Sequence, residues 1–182
     1  MFTHLRPAIA LTLFFAALTG IAYPLAITGA AQAMFPHQAS GSPVVRADGT
    51  LLGSALIGQL FERDSYFHGR PSAVNYDAAT SSGTNLGPSS KALLDSLAER
   101  AAAYPDGVPA DLVTASGSGL DPDISPAGAL AQMPRIAASR GLDEAALRQL
   151  IAANVRGPDL GILGQPRVNV LALNLALDAL KP

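Results

Sequence analysis

The hydrophobic pattern is most lopsided at the start of the chain. Arg6 is the first charged side chain and Arg46 the second, and the 39 residues from Pro7 to Val45 carry no formal charge. Within them Ala8–Met34 is almost wholly apolar. A hydrocarbon core of about 30 Å takes about 20 helical residues, so this stretch is long enough to span a bilayer with some tilt. Lipid offers no partners to backbone amides, so the span has to be helical. Tyr23 and Pro24 fall inside it, and both are compatible with a spanning helix. Ala31-Gln32-Ala33 has the form of a signal-peptidase site. The apolar run nevertheless exceeds the about 7–15 residues of a signal core, which favours a retained anchor. Lys and Arg are absent from Phe35–Val45, whereas Arg6 and the amino terminus precede the span. The positive-inside rule then places residues 1–7 in the cytoplasm and everything after the span outside.

Small residues recur at spacing four along the span: Ala16/Gly20, Ala22/Ala26, Ala26/Ala30 and Gly29/Ala33. In a regular helix each pair shares a face, and small faces let a second helix approach closely in lipid. Ala16, Gly20, Ala26 and Ala30 are therefore the candidate positions for packing against a partner helix.

Beyond the span the pattern changes. Residues 35–43 read as a linker, and 44–182 as a single mixed domain. Val44–Arg46 and Leu51–Leu60 flank Asp48-Gly49, a favoured two-residue turn, and predict a hairpin. Ser65–Pro88 is dense in Ser, Gly, Asn and Pro and reads as ordered loop. Ser89–Tyr104 predicts a helix with Leu93, Leu94, Leu97 and Ala101 in one stripe, capped by Ser89 or Ser90 and ended by Pro105 and Gly107. Leu112–Ala115 suggests a short strand. Pro126–Arg140 is helical in composition, with Pro134 expected to kink or divide it and Gly141 to cap its end. Asp143 heads a further helix with Leu147, Leu150 and Ile151 inward. Leu160–Leu163 and Val168 are extended candidates, and Asn169 caps a last helix, Val170–Leu180. Helices and strands interleave without a βαβ repeat, so the predicted class is α+β: one transmembrane helix, then one mixed domain.

Composition narrows the chemistry. The net charge is −2 and only 14% of the 182 residues are charged, so no basic surface argues for nucleic acid. Cysteine is absent and there are three histidines, which excludes disulfides, thiolate sites and a cysteine nucleophile. Gly83–Lys91 resembles a phosphate loop, but Pro88-Ser89-Ser90 stands where the motif needs a glycine directly before lysine. Asp121–Ser125 resembles the start of a calcium loop, but Pro126 and Gln132 occupy the positions that need Gly and Glu. His68 has no evident triad partners. No catalytic residue and no metal site are assigned. Four of the five aromatics beyond Pro36 fall between Phe61 and Tyr76, interleaved with Arg63 and Arg70. Aromatics with arginine mark interface centres, which makes Tyr66, Phe67, Arg70 and Tyr76 a candidate contact surface; a local core is the competing reading.

Several phrases taken together resemble one family. They are Leu18-Thr-Gly-Ile-Ala-Tyr-Pro-Leu25, Gly53-Ser-Ala-Leu-Ile-Gly-Gln59, Tyr66-Phe-His-Gly-Arg-Pro-Ser72 and Ser82-Gly-Thr-Asn-Leu-Gly-Pro-Ser89. The segments Ala115–Pro126 and Gly164–Asn174 complete the set, in order along nearly the whole chain. The chain so resembles the C subunit of the Kdp-type potassium-transporting ATPase. The resemblance implies a non-catalytic accessory subunit of a bacterial inner-membrane complex, single-pass, with its main domain periplasmic. Its partners would be a potassium-channel-like subunit, a P-type ATPase subunit and a small single-span subunit. It also implies a chaperone-like promotion of ATP use, with Gln165 implicated in nucleotide contact and no tightly bound cofactor. The topology puts Gln165 outside, away from cytoplasmic ATP, so an indirect effect through subunit packing is expected. The alternative is a secreted or anchored periplasmic module that binds a small ligand in its glycine-rich loops.

Overall fold

A computed structural model describes residues 2–104 and 107–180. The chain forms two compact units, Met1–Leu52 and Gly53–Pro182. The architecture is α+β, with one helix long and apolar enough to cross a membrane.

That helix runs from Leu5 to Met34, 30 residues with a mean hydropathy of 1.9 over its most apolar stretch and no part of that stretch buried. At 1.5 Å per residue it is about 45 Å long. Leucine, isoleucine and phenylalanine side chains are exposed along its whole length, a surface that suits hydrocarbon rather than water. Its regularity breaks once, in a π turn over Leu18–Ala22, where the Tyr23 N–H donates to the Leu18 carbonyl. Pro24 follows directly. It has no N–H, and its ring would clash with the carbonyl four residues back, so a widened turn relieves both problems. Thr19 donates its hydroxyl to the Phe15 carbonyl at 2.7 Å, which satisfies a polar group inside an apolar segment.

Phe35 leaves the helical region, and the expected linker contains a short helix, Pro36–Ala39. The hairpin is present but shorter than predicted, with β1 at Pro43–Val45 and β2 at Leu51–Ser54. Its turn is closed by Arg46 N–H to Thr50 O at 2.9 Å and by Thr50 N–H to the Asp48 carboxylate at 2.9 Å. Gly49 takes φ +85°, which explains the glycine after Asp48.

The larger unit is organised by three short strands in the order β3–β5–β4, all antiparallel: β3 Asp123–Ile124, β5 Arg167–Asn169 and β4 Val155–Arg156. Val168 pairs with both Ile124 and Val155 and is fully buried. Three helices, Pro126–Arg140, Glu144–Asn154 and Val170–Ala179, pack on this sheet and on one another. They contribute Ala129, Met133, Ile136, Leu147, Ile151, Leu173 and Leu177 to the core. Ser125 caps the first, accepting from Gly128 N–H at 2.8 Å, and Gly141 ends it at φ +64°. Asn169 caps the last by accepting from Ala172 N–H at 3.0 Å, as the sequence predicts.

Four local expectations are corrected. Pro134 does not divide its helix, which runs unbroken over Pro126–Arg140. Pro134 itself is exposed, while Met133 and Ile136 stay buried beside it. Ala110–Val113 is a helical turn, not a strand. The Asp111 carboxylate accepts from Ser125 N–H and Oγ at 2.6 and 3.0 Å and pulls this turn onto the start of the next helix. The helix expected over 89–104 spans Lys91–Ala101, and Leu94 faces solvent; Pro105 lies outside the described residues. Leu160–Leu163 is a tight turn, not an extended segment.

One further segment of the core has no strand partner. Phe67, completely buried, donates its N–H to Asn174 Oδ1 at 2.8 Å and accepts from Asn174 Nδ2 at 2.9 Å through its carbonyl. The next residue, His68, makes the same pair of bonds to Gln132, at 2.7 and 3.0 Å. Asn174 and Gln132 are themselves 1% exposed, so neither amide has water to fall back on. Asn174→Leu keeps the volume but strands both backbone groups of Phe67, and we expect it to lower stability by about 3 kcal/mol. A urea titration of the full chain followed by circular dichroism measures this; a change under about 1 kcal/mol would show that the clamp is dispensable.

Candidate functional site

The aromatic–arginine segment is a strap wound over the core, and most of its side chains are engaged within the chain. Phe67 is 0% exposed and belongs to the core, which corrects its assignment to a contact surface. The Tyr66 ring lies 4.7 Å beneath the Arg140 guanidinium, and its hydroxyl donates to Asp178 at 3.2 Å. Arg140 also donates to the Ser65 carbonyl and to Asp178, both at 2.7 Å. Arg70 pairs with Asp121 at 3.0 Å and reaches Thr114, while its Nε is buried without a partner. Tyr76 donates its hydroxyl to the Arg70 carbonyl at 2.6 Å, and burial pushes the phenol up to about 12. Its side chain fills the space over Gly58 and Gly69, where a Cβ would come within 2.5 Å of the ring and 2.2 Å of the hydroxyl. Glycine at those positions is thus a packing requirement. The competing reading made from the same residues, a local core with arginines at its edge, describes this segment better.

Gln165 is exposed at the edge of a cleft of about 500 Å³ that Arg70, Asp111, Asp121, Asp123 and Arg167 line. Three carboxylates face two guanidiniums there. Arg70 is held by Asp121 at 3.0 Å, and Arg167 by Asp123 at 3.4 Å and Asp159 at 3.1 Å. Burial raises the Asp123 pKa, with neighbouring Asp121 adding to the effect. A triphosphate entering this cleft would meet a net negative lining whose cations are already paired.

A second cleft, of about 600 Å³, lies between His68, Tyr104, Leu130, Gln132 and Arg135. Arg135 is committed to the Asp64 and Tyr66 carbonyls and to Gln132 Oε1. His68 contacts the Arg63 carbonyl at 3.1 Å through Nε2, and burial lowers its pKa. Among the described residues no group of three or more His, Asp or Glu could hold a metal ion.

In the span, Ala16, Gly20, Ala26 and Ala30 are all exposed. Gly20 lies inside the π turn, Ala16 precedes it and Ala26 and Ala30 follow it. One surplus residue turns the following half by roughly 100° relative to the first. Ala26/Ala30 and Gly29/Ala33 keep the regular spacing, and the Ala16 side looks elsewhere.

Residues 5–179 match the KdpC family, described as the K+-transporting ATPase, c chain. The chain belongs to the KdpC family. Proteins named potassium-transporting ATPase KdpC subunit are similar to it over their full length. That of Caulobacter vibrioides NA1000 is 56% identical over 189 residues, covering 100% of this chain and 96% of the relative. That of Cereibacter sphaeroides ATCC 17029 is 59% identical over 183 residues, covering 98% of each. That of Rhodopseudomonas palustris CGA009 is 52% identical over 201 residues, covering both chains completely. The resemblance carried by the ordered motifs is thereby confirmed, and this KdpC chain is a subunit of a potassium-transporting ATPase complex.

The His68 environment sets a pH dependence. Its pKa is lowered in the folded KdpC domain, so the neutral ring contributes stability above about pH 6.5 that is lost as the pH falls through the folded value. Urea midpoints at pH 7.5 and 5.5 should therefore fall more for the native chain than for His68→Asn. Equal losses in the two would assign the pH dependence to other groups.

Proposed function

We propose that this chain is the non-catalytic accessory subunit of the potassium-importing complex, held in the bacterial inner membrane by Leu5–Met34. Its amino terminus is cytoplasmic and its 44–182 domain periplasmic. There it stabilises the assembly of the potassium-channel-like and P-type ATPase subunits, alongside the small single-span subunit. The observation that carries the reading is the fully exposed apolar helix of a KdpC family member, a surface that only lipid and other spanning helices can cover.

Promotion of ATP use is indirect in this reading. Gln165 borders a cleft whose guanidiniums are paired with carboxylates, which supports no seat for a triphosphate. A subunit that contacts two states of the ATPase unequally shifts its affinity for nucleotide without touching it. The expected result is that Gln165→Ala leaves the KM for ATP of the purified complex within twofold of native. Omission of the whole chain should lower the yield of active complex at least tenfold. A several-fold rise in KM with Gln165→Ala, together with ATP binding to the isolated chain, would establish direct contact instead.

The anchor gives a second test. A Cβ at Gly20 meets nothing within 4 Å in the chain itself. Gly20→Leu should leave the isolated subunit unchanged in stability and weaken its co-purification with the other subunits in detergent. Undiminished recovery would place the helix contact elsewhere. The alternative reading, a secreted ligand-binding module cut after Ala33, is separated by intact mass: retention of residues 2–33 excludes it.

A further inference from the structure

The cleft of about 600 Å³ beside His68 falls in the size range of small-molecule sites. Three segments wall it: His68 from the strap, Leu130, Ala131 and Arg135 from the Pro126–Arg140 helix, and Tyr104 from the residues that follow the Lys91–Ala101 helix. Its charge differs from that of the other arginine sites. Arg70, Arg140 and Arg167 have carboxylate oxygens at 3.0, 2.7 and 3.1 Å. For Arg135 the carboxylate is Asp64 Oδ1, 3.9 Å away on a side chain that is 80% exposed. The hydrogen bonds of Arg135 go to the Asp64 and Tyr66 carbonyls and to Gln132 Oε1, all of them neutral oxygens. They take three of the five N–H groups of a guanidinium. Burial lowers the Arg135 pKa, as expected of a charge drawn out of water without full compensation. No carboxylate is among the described residues that line the cleft. Burial lowers the His68 pKa as well, so its ring is neutral at pH 7 and Arg135 supplies the one full charge among those residues. Tyr104 adds a hydroxyl that bonds to no described residue, and burial raises its pKa, so it remains a donor.

We infer that this cleft is a binding site for a small organic monocarboxylate, its carboxylate held between Arg135 and the Tyr104 hydroxyl and its apolar body against Leu130 and Ala131. The site goes beyond the accessory-subunit reading and does not depend on it. One guanidinium matches one negative charge. A phosphate dianion would bring a second charge that no described lining residue offsets, and a cation would be repelled by Arg135. A neutral ligand would leave the guanidinium as poorly compensated as before. The cleft beside Gln165 is the contrast within the same chain, since the three carboxylates that line it oppose an anion. Because Tyr104, Arg135 and His68 belong to three different segments, a bound carboxylate would also tie the strap to its neighbours and favour the folded domain.

The test uses the full chain in phosphatidylcholine nanodiscs, with 4-fluorobenzoate as probe and 4-fluorobenzamide as its neutral isostere. Fluorine NMR line broadening reads binding, and empty nanodiscs give the background. The benzoate should saturate with a Kd of about 1 mM or tighter, and the benzamide should bind about tenfold more weakly or worse. Arg135 also holds the strap, so the variants spare it. Pro134 is exposed at the rim of the cleft, where either a carboxylate or an amide suits a helix better than proline does. Pro134→Glu should weaken benzoate binding about fivefold or more relative to Pro134→Gln. Tyr104→Phe, which removes the hydroxyl alone, should weaken it about threefold or more. Circular dichroism melts confirm that each variant is folded. No saturation by about 10 mM, equal binding of benzoate and benzamide, or equal affinity in Pro134→Glu and Pro134→Gln would overturn the site. Displacement of the benzoate by an equal concentration of inorganic phosphate would overturn its assignment to monocarboxylates.

Discussion

The larger unit depends on two buried amides. Phe67 and His68 cross the middle of the domain with no strand beside them, and Asn174 and Gln132 supply the hydrogen bonds that a neighbouring strand would supply. An unpaired backbone group in that position would cost as much as several core methyl groups contribute. Each amide side chain carries both donor and acceptor groups and so satisfies the N–H and the carbonyl of one residue. The arrangement ties the strap of 61–76 to two helices at once. Everything the strap then carries, from the Tyr66–Arg140 stack to the Arg70–Asp121 pair, inherits its position from that clamp.

Charge is handled conservatively in the same unit. Arg70, Arg135, Arg140 and Arg167 lie at the edges of the core, each paired with a carboxylate or a backbone carbonyl. That pattern suits a subunit whose effects are transmitted by contact. Coupling between sites requires a difference in binding free energy between two states of a partner, not a ligand of its own.

Much of this was legible in the sequence, for physical reasons that differ by region. The span is dictated by the uncharged run after Arg6, and no local competition could disguise it. The caps at Asn169 and Gly141 and the Asp48-Gly49 turn follow from short-range chemistry, which sequence reports well. The misreadings arose where tertiary contacts decide. Phe67 among arginines looks like an interface by composition, and only the long-range bond to Asn174 reveals that it faces inward. Leu112 and Val113 have strand-like side chains, but Asp111 reaches Ser125 and they lie in a helical turn that ends before Thr114. Leu160–Leu163 reads as a short extended segment. Its exposure depends on the distant Asp123 and on the latch through Arg167, neither of which has a local signature.

The widened turn at Leu18–Ala22 has a geometric outcome for whatever surrounds the span. A straight neighbour that tracks the first half of this helix drifts more than a quarter-turn off its second half. No single regular helix can therefore keep one seam against it from Leu5 to Met34. The rod offers two differently aimed seams, and an assembly that grips it along its full length has to do so from two sides.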